Sequence, residues 1–337
     1  MESIGDILAK SKGLRKLREA ATPLTRAQEQ LLDVAMEIRL NPAEVEKTFL
    51  ARELVQCTLP HSNPRGNPLA WSRSNGTFTL GIVPGVNIET GKSYGYPYGA
   101  IPRLVLFWIT TEAVRNLAKL NRGEISNARR LDLGHSLAQF MRDLGLDPNT
   151  GGGKRSDARR LQNQMQRLFK ATISFQRTVI EAHRQGNRWR DMQVAPEGEL
   201  WWDAKQPGQA ALWGSWIELG DKFFEAITAA PVPADMRVLR AIKRSPLALD
   251  LYAWATWRVF RLQKATFIPW TGLMLQIGAE YTNAKDFGQK AKGAFRKICA
   301  LYPGLKIEWR TGGFTLHPSP TSVPALPAAA AQKRLAQ

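Results

Sequence analysis

Residues 136–170 read SLAQFMRDLGLDPNTGGGKRSDARRLQNQMQRLFK, and this stretch decides the fold. Its apolar spacing predicts a short helix over 136–144, stopped by Gly145. Asp147–Gly153 is a turn, and Lys154–Lys170 is a second, longer helix. At about 100° per residue, Ala158, Leu161, Met165, Leu168 and Phe169 fall on one side of that helix. Arg159, Asn163, Gln166, Arg167 and Lys170 fall on the other, flanked by Lys154, Arg155 and Arg160. One face packs, and the opposite face is basic with amides interleaved. Downstream, Ala171–Ile180 and Trp189–Ala195 are β-like, with Gln185-Gly186-Asn187 as the turn between them. Upstream lie a helix over Pro102–Lys119 and a short strand near Arg130–Leu133. Helix, helix, turn, helix, hairpin is the winged-helix order.

The second half repeats it. Ile217–Leu219 is a short strand, Lys222–Ala229 and Pro233–Lys243 are helical, and Leu247–Gln263 is a long aromatic helix. Trp270–Ile277 is a short helix stopped by Gly278, and Ala284–Leu301 is a long one. Leu305–Trp309 and Phe314–His317 flank Gly312-Gly313 as another wing. At an offset of 133 residues Met141 matches Met274, Leu144 matches Ile277, Gly145 matches Gly278, and Met165 matches Ile298. Arg159 matches Lys292, and Phe169 matches Tyr302. In Ala284–Leu301 the packing side is Phe287, Ala291, Ala294, Phe295 and Ile298. Gln289, Lys292, Gly293, Arg296 and Lys297 lie opposite, with Lys285 and Lys290 beside them. The run Tyr252, Trp254, Trp257 and Phe260 has the spacing of a buried helix face.

Composition points the same way. Of 337 residues, 47 are Lys or Arg and 29 are Asp or Glu, a formal net charge of +18, which calls for a polyanionic partner. Arginine can bond guanine O6 and N7, and Asn or Gln adenine N6 and N7, so the two mixed faces suit base-edge recognition in double-stranded DNA. The remaining cations would neutralise phosphates. The wings add Arg177, His183, Arg184, Arg188 and Arg190 in the first repeat, and Lys306 and Arg310 in the second. For these, phosphate contact and ordinary solvated charge are equal alternatives.

Other chemistry is not indicated. Gly151-Gly152-Gly153-Lys154 lacks the first spaced glycine of a phosphate loop and has Arg155 where Ser or Thr would hold magnesium. The histidines, His61, His135, His183 and His317, are scattered, and Cys57 and Cys299 are isolated, so no metal site, cofactor or catalytic group is expected. Tyr94, Tyr96 and Tyr98 are read as loop packing rather than as nicking tyrosines. No apolar run reaches the roughly 18 residues of a membrane span, and the N-terminus has no secretory signal, so a cytoplasmic setting fits.

Nearer the N-terminus, residues 1–20 read as a basic amphipathic helix, Thr25 and Gln28 as a capping box, and Asn41-Pro42 as the start of a further helix. Leu69–Arg73 and Thr77–Val83 flank a hairpin turn at Ser74-Asn75-Gly76, and Gly81–Ile101 is loop. The expected class is α+β, mainly helical. A helical extension over 1–66 precedes tandem winged-helix domains over 67–205 and 206–318, and a disordered Ala/Pro-rich tail occupies 319–337.

Several long stretches resemble plasmid replication initiators of the RepA type. They are YGYPYGAIPRLVLFWITTEAVR, LGHSLAQFMRDLGL, TGGGKRSDARRLQNQMQRLFKATISF, LWGSWIELGDKFFEAI, VPADMRVLRAIKRSPLALDLYAWATWR, IPWTGLMLQIG and LYPGLKIEWRTGGFTLHPSP. The resemblance covers about residues 80–318. The resemblance implies binding of repeated origin sequences (iterons), origin opening with host initiator and helicase proteins, and copy control through exchange between monomer and homodimer. It does not imply a membrane partner. Two alternatives stay open on the residues alone: a winged-helix transcriptional regulator such as an autorepressor, and a DNA-nicking initiator enzyme.

Overall fold

Gly99 and Pro102 open a segment that, Arg103 apart, carries apolar side chains all round, AIPRLVLFWITT, and a helix of that kind must be largely buried. The computed structural model describes residues 24–134, 136–149, 156–181, 184–201, 214–277 and 280–324. In it, helix α3 (Ala100–Asn121) buries Ile101 to Phe107 and Ile109 to Thr111 at the centre of the molecule. Before it come α1 (Arg26–Leu40), β1 (Lys47–Ala51), α2 (Arg52–Gln56), β2 (Trp71–Asn75) and β3 (Phe78–Val83). The helix expected over 1–20 lies outside the described residues, as do His135, Lys154, Arg155, His183 and Gly278.

After α3 come β4 (Arg130–Asp132), α4 (Leu137–Asp143), α5 (Asp157–Phe169), β5 (Thr172–Glu181) and β6 (Arg184–Gln193), close to the expected order. The Ser136 hydroxyl caps α4 by accepting from the Gln139 N–H, and Gly145 ends that helix at φ 74°. Ser156 caps α5 in the same way through the Arg159 N–H at 3.3 Å, so the helix starts at Asp157 rather than at Lys154. Ala158, Leu161, Met165, Leu168 and Phe169 are all buried, and each such side chain contributes about 1–3 kcal/mol of burial.

The hairpin after α5 is longer than its sequence suggests. Gln185, Gly186 and Asn187 do not turn; they pair with Ile180, Val179 and Thr178 inside β6. Nor does the hairpin stand alone. The strands β2-β3-β5-β6 form one antiparallel sheet, with Leu80 opposite Phe175 and Ile82 opposite Ile173. Gly76 takes φ 59° in the tight turn between β2 and β3, as the Asn-Gly signal required. A separate sheet, β4-β8-β7, uses β7 (Glu197–Glu199) and β8 (Trp216–Glu218), and Arg130 stacks 4.0 Å over the Trp216 ring.

The second half comprises α6 (Asp221–Ala229), β9 (Pro231–Asp235), α7 (Met236–Ile242), α8 (Pro246–Phe260), β10 (Thr266–Pro269), α9 (Trp270–Ile277), α10 (Ala284–Leu301), β11 (Ile307–Arg310) and β12 (Gly313–Leu316). Its small sheet runs β10-β12-β11, beside α8, α9 and α10. Phe314 centres an aromatic core, with ring centroids 5.0 Å from Phe295, 5.1 Å from Trp270 and 6.2 Å from Trp254. Tyr252 and Trp254 are buried as expected, but Phe260 is 75% exposed because α8 ends there.

Two helical glycines on α10 give opposite expectations. A Cβ on Gly288 would lie 2.8 Å from the Trp270 ring, which Phe287 and Phe314 hold in place. Gly288→Ala should therefore lower stability by about 1–2 kcal/mol even though alanine is the better helix former. Gly293 faces open space, and Gly293→Ala should raise stability by about 0.5–1 kcal/mol. Urea midpoints check both, and equal shifts for the two variants would contradict the packing assigned to Trp270.

The expected boundaries need correction. Within the described residues 24–66 the chain is not helical throughout. Asn41 ends α1 instead of starting a helix, and β1 pairs antiparallel with β9, from Lys47 opposite Asp235 to Ala51 opposite Pro231. That pairing also replaces the first turn of the helix expected over Pro233–Lys243. The strand β8, expected to open the second domain, pairs with β4 of the first. At the other end the chain stays packed beyond 318. Tyr302 donates to the Pro320 carbonyl, Ser322 bonds Tyr252 at 2.7 Å, and Val323 is buried. The tail from 325 lies outside the described residues.

Candidate nucleic-acid interface

The helices α5 and α10 present their polar faces outward. On α5, Arg160, Asn163 and Lys170 are exposed and Arg159 and Gln166 half-buried; on α10, Lys285, Gln289, Lys290, Arg296 and Lys297 are exposed. Asn283 caps α10, accepting from the Asp286 N–H at 2.8 Å. Arg160 touches Asp157 at 3.3 Å, and Lys292 sits 5.2 Å over the Trp309 ring. A cleft of about 390 Å³ opens between α10, the start of α9 and the second hairpin, lined by Lys285, Gln289, Lys292, Trp309 and Arg310.

Arg167 departs from this set. Its guanidinium donates to the Tyr96 carbonyl at 3.2 Å and to Asn63 Oδ1 at 3.4 Å, and it stacks on Tyr98. It fastens the loop before α3 to α5 rather than facing solvent with its neighbours. Gln164, on the same turn, is buried and accepts from the Tyr98 N–H at 2.9 Å. The tyrosine cluster is thus loop packing for Tyr98 and for Tyr96, whose hydroxyl donates to the Pro68 carbonyl.

The hairpins are unequal. In the first, Arg184 and Arg188 are exposed along the outer half of β6, Arg177 lies over the Phe78 ring, and Arg190 approaches Glu225 at 3.7 Å. Trp189 is 67% exposed beside them. In the second, Arg310 pairs with Glu308 at 2.7 Å.

Beneath α5 lies a buried charge network that patterning did not indicate. Arg103 donates from Nε and Nη2 to the two oxygens of Asp250, at 2.7 and 2.8 Å, and His61 Nε2 is 2.7 Å from Asp250 Oδ2. The remaining guanidinium donors reach the carbonyls of Leu59, Pro60 and Gly99. Burial alone pushes the Asp250 carboxyl up, but Arg103 and the His61 hydrogen bond outweigh it and hold it below the usual range. Burial, helped by Arg103, pushes the His61 imidazole down, so it stays neutral near pH 7. The network joins the first turn of α3, the first turn of α8 and the connector at 59–61. Thr58 adds a bond to the Ile277 carbonyl at 2.8 Å.

Both cysteine thiols are free and pushed up to about 11 by burial, which leaves them poor nucleophiles and poor metal ligands. Among the described residues no group of His, Cys, Asp and Glu is placed to hold a metal ion, and no helix is long and apolar enough to cross a membrane.

A sequence profile of the family described as plasmid encoded RepA protein matches residues 96–271, just over half of the chain. The chain belongs to the RepA family of plasmid replication initiators. The matched region runs from the loop before α3 through α5 and the first hairpin to the start of α9. It therefore contains the first basic helix and the Arg103–Asp250 pair of this RepA protein, but neither His61 nor α10. A crystal structure of domains 2 and 3 of RctB is similar over 78% of this chain and 95% of its own, with 11% identity and a TM-score of 0.49. A second crystal structure of the same RctB domains covers 78% and 94%, with 10% identity and a TM-score of 0.44. Comparison with curated proteins gave no match.

Proposed function

We propose that this RepA protein initiates plasmid replication by binding repeated sequences in origin DNA as double strands, with α5 and α10 as the recognition helices of two winged-helix units. One observation carries the reading. Two N-capped helices, each preceded by a short helix and followed by a hairpin, turn Arg, Lys, Asn and Gln side chains to solvent while their opposite faces pack. Base-edge contact needs that mixture of donors on a rigid element. Asn163, Gln166 and Gln289 carry amides for base edges; Arg159, Arg160, Lys170, Lys285, Lys290, Lys292, Arg296 and Lys297 supply cations. The second unit has the full helix–strand–helix–helix–hairpin set. In the first, β4 pairs elsewhere and β3 takes the place beside the hairpin.

In this proposal the protein acts by binding, bending and opening DNA, with host initiator and helicase proteins completing the start of replication, and with exchange between monomer and homodimer setting copy number. Footprinting on the DNA beside the coding gene tests the binding. Regularly spaced protected repeats are expected, and uniform protection would contradict sequence-specific recognition. Incubation with supercoiled origin DNA and magnesium tests the non-enzymatic reading. The DNA should stay supercoiled, and accumulation of nicked circles would assign the protein to the nicking class.

A further inference from the structure

A cleft of about 520 Å³ opens between the first turn of α3, the N-terminal half of α5 and the turn that enters α8. Arg159, Arg160 and Asn163 line it from α5, Arg244 from the α7–α8 turn, and His61 from the connector. Among the described residues no carboxylate lines it. The guanidinium groups of Arg159 and Arg244 have no hydrogen-bond or ion-pair partner among the described residues, and that of Arg160 has only its exposed contact with Asp157. Guanidinium groups gathered in one concavity, with Asp157 beside Arg160 alone, repel one another, and an oxyanion relieves that repulsion.

The backbone adds donors. Helix α3 starts at Gly99 with no side-chain cap, Pro102 has no N–H, and the N–H groups of Ala100 and Ile101 have no acceptor among the described residues. Gly99 takes φ 80°, a conformation that favours glycine, and Gly99, Ala100 and Ile101 all line the cleft at this helix start. Its partial positive charge favours an anion there. The arrangement is held from below: the bidentate Arg103–Asp250 pair fixes the first turns of α3 and α8 side by side. Neither helix can withdraw its part of the cleft without breaking a buried ion pair.

We propose that this cleft is a phosphate-binding site built jointly by the two halves of the chain, and that its occupant is a backbone phosphate of the duplex lying along α5. The assignment rests on the reading of α5 as a DNA-facing helix, because the cleft adjoins that helix's polar face. Arg159 and Arg160 come from the first unit and Arg244 from the second, so one phosphate contacts both units and fixes their relative orientation on the DNA. Arginine's planar fork suits such a bridge better than lysine.

The test uses the full-length protein with Arg244→Ala and Arg159→Ala. Affinity for an origin duplex and for a scrambled duplex is measured by anisotropy across a salt series. In parallel, melting temperatures are measured without DNA in inorganic phosphate and in tripolyphosphate. Arg244 is exposed, so Arg244→Ala should melt with the wild type. It should weaken both duplexes by the same factor, about tenfold, and flatten the log–log salt slope by about one. Loss of preference for the origin duplex alone would make Arg244 a base reader and overturn the phosphate assignment. An unchanged slope, with tripolyphosphate stabilising the wild type but not the variants, would replace the duplex phosphate by a free polyphosphate. No change in either measurement would remove the site altogether. A wild type that fails to bind duplex DNA at all would sink the DNA-binding reading of α5, while the tripolyphosphate series still judges the cleft.

Discussion

Replacing Asp250 by alanine is expected to destabilise the protein by about 3–5 kcal/mol, the usual cost of leaving a buried charge unpaired. Arg103 is 4% exposed and would lose the carboxylate that takes two of its hydrogen bonds. His61 would lose its only side-chain partner among the described residues. The damage should spread across the molecule, because the network joins α3, α8 and the 59–61 connector. Denaturant titration measures it. A double replacement, Arg103→Met with Asp250→Leu, should recover much of the loss, since a buried pair exchanged for apolar side chains of similar volume is often neutral. Single and double variants that are equally unstable would mean that packing rather than charge holds the two halves together. The network also sets a direction with pH. Asp250 and His61 are both held below their unfolded values, so both contributions are complete above those values and are lost on acidification. Stability should begin to fall as the pH drops below about 6.5, the unfolded histidine value, and should fall further as Asp250 protonates.

Affinity for origin DNA should fall by about four orders of magnitude between 50 and 200 mM salt. The estimate follows from the two cationic faces. If α5 and α10, with the nearby hairpin cations, neutralise roughly 8 phosphates, log affinity falls against log salt with a slope of about −7. A slope flatter than about −3 would mean that only one of the two helices meets the DNA. Replacing Lys297 with alanine should weaken all duplexes alike and change the slope by about one.

The helices expected to meet DNA were legible because their signals are local. Apolar side chains recur at helical spacing through Leu161, Met165 and Leu168 and through Phe287, Ala291 and Ile298, and nearby polar residues do the capping. What was not legible is non-local. The sequence KTFLA is a strand only because Pro231–Asp235 lies beside it, some 180 residues away. Helical periodicity in MRVLRAI invites extension backwards over PVPAD, which pairs as β9 instead. Gln185-Gly186-Asn187 has the composition of a turn, yet cross-strand pairing with Thr178–Ile180 carries the hairpin through it. The charge network leaves no motif either, since its members are single residues separated by as many as 189 positions. Arg244 stands just outside a helix and so escaped a reading based on helix faces. Arg167 shows the converse failure: its position on the helical wheel is right for DNA, but a carbonyl in the loop before α3 claims its guanidinium.

The central claim is that α5 and α10 read different parts of one site. Grooves on one face of a duplex recur about every 10 base pairs, so two units on one chain should cover about 20 base pairs. The direct measurement scores Asn163→Ala and Arg296→Ala against a set of origin repeats, each with a single base pair changed. Each variant should lose about 1–3 kcal/mol of discrimination at its own position, Asn163→Ala near one end of the repeat and Arg296→Ala near the other. Loss of preference at the same base pairs in both variants would contradict the account and favour a dimer that uses one unit per subunit.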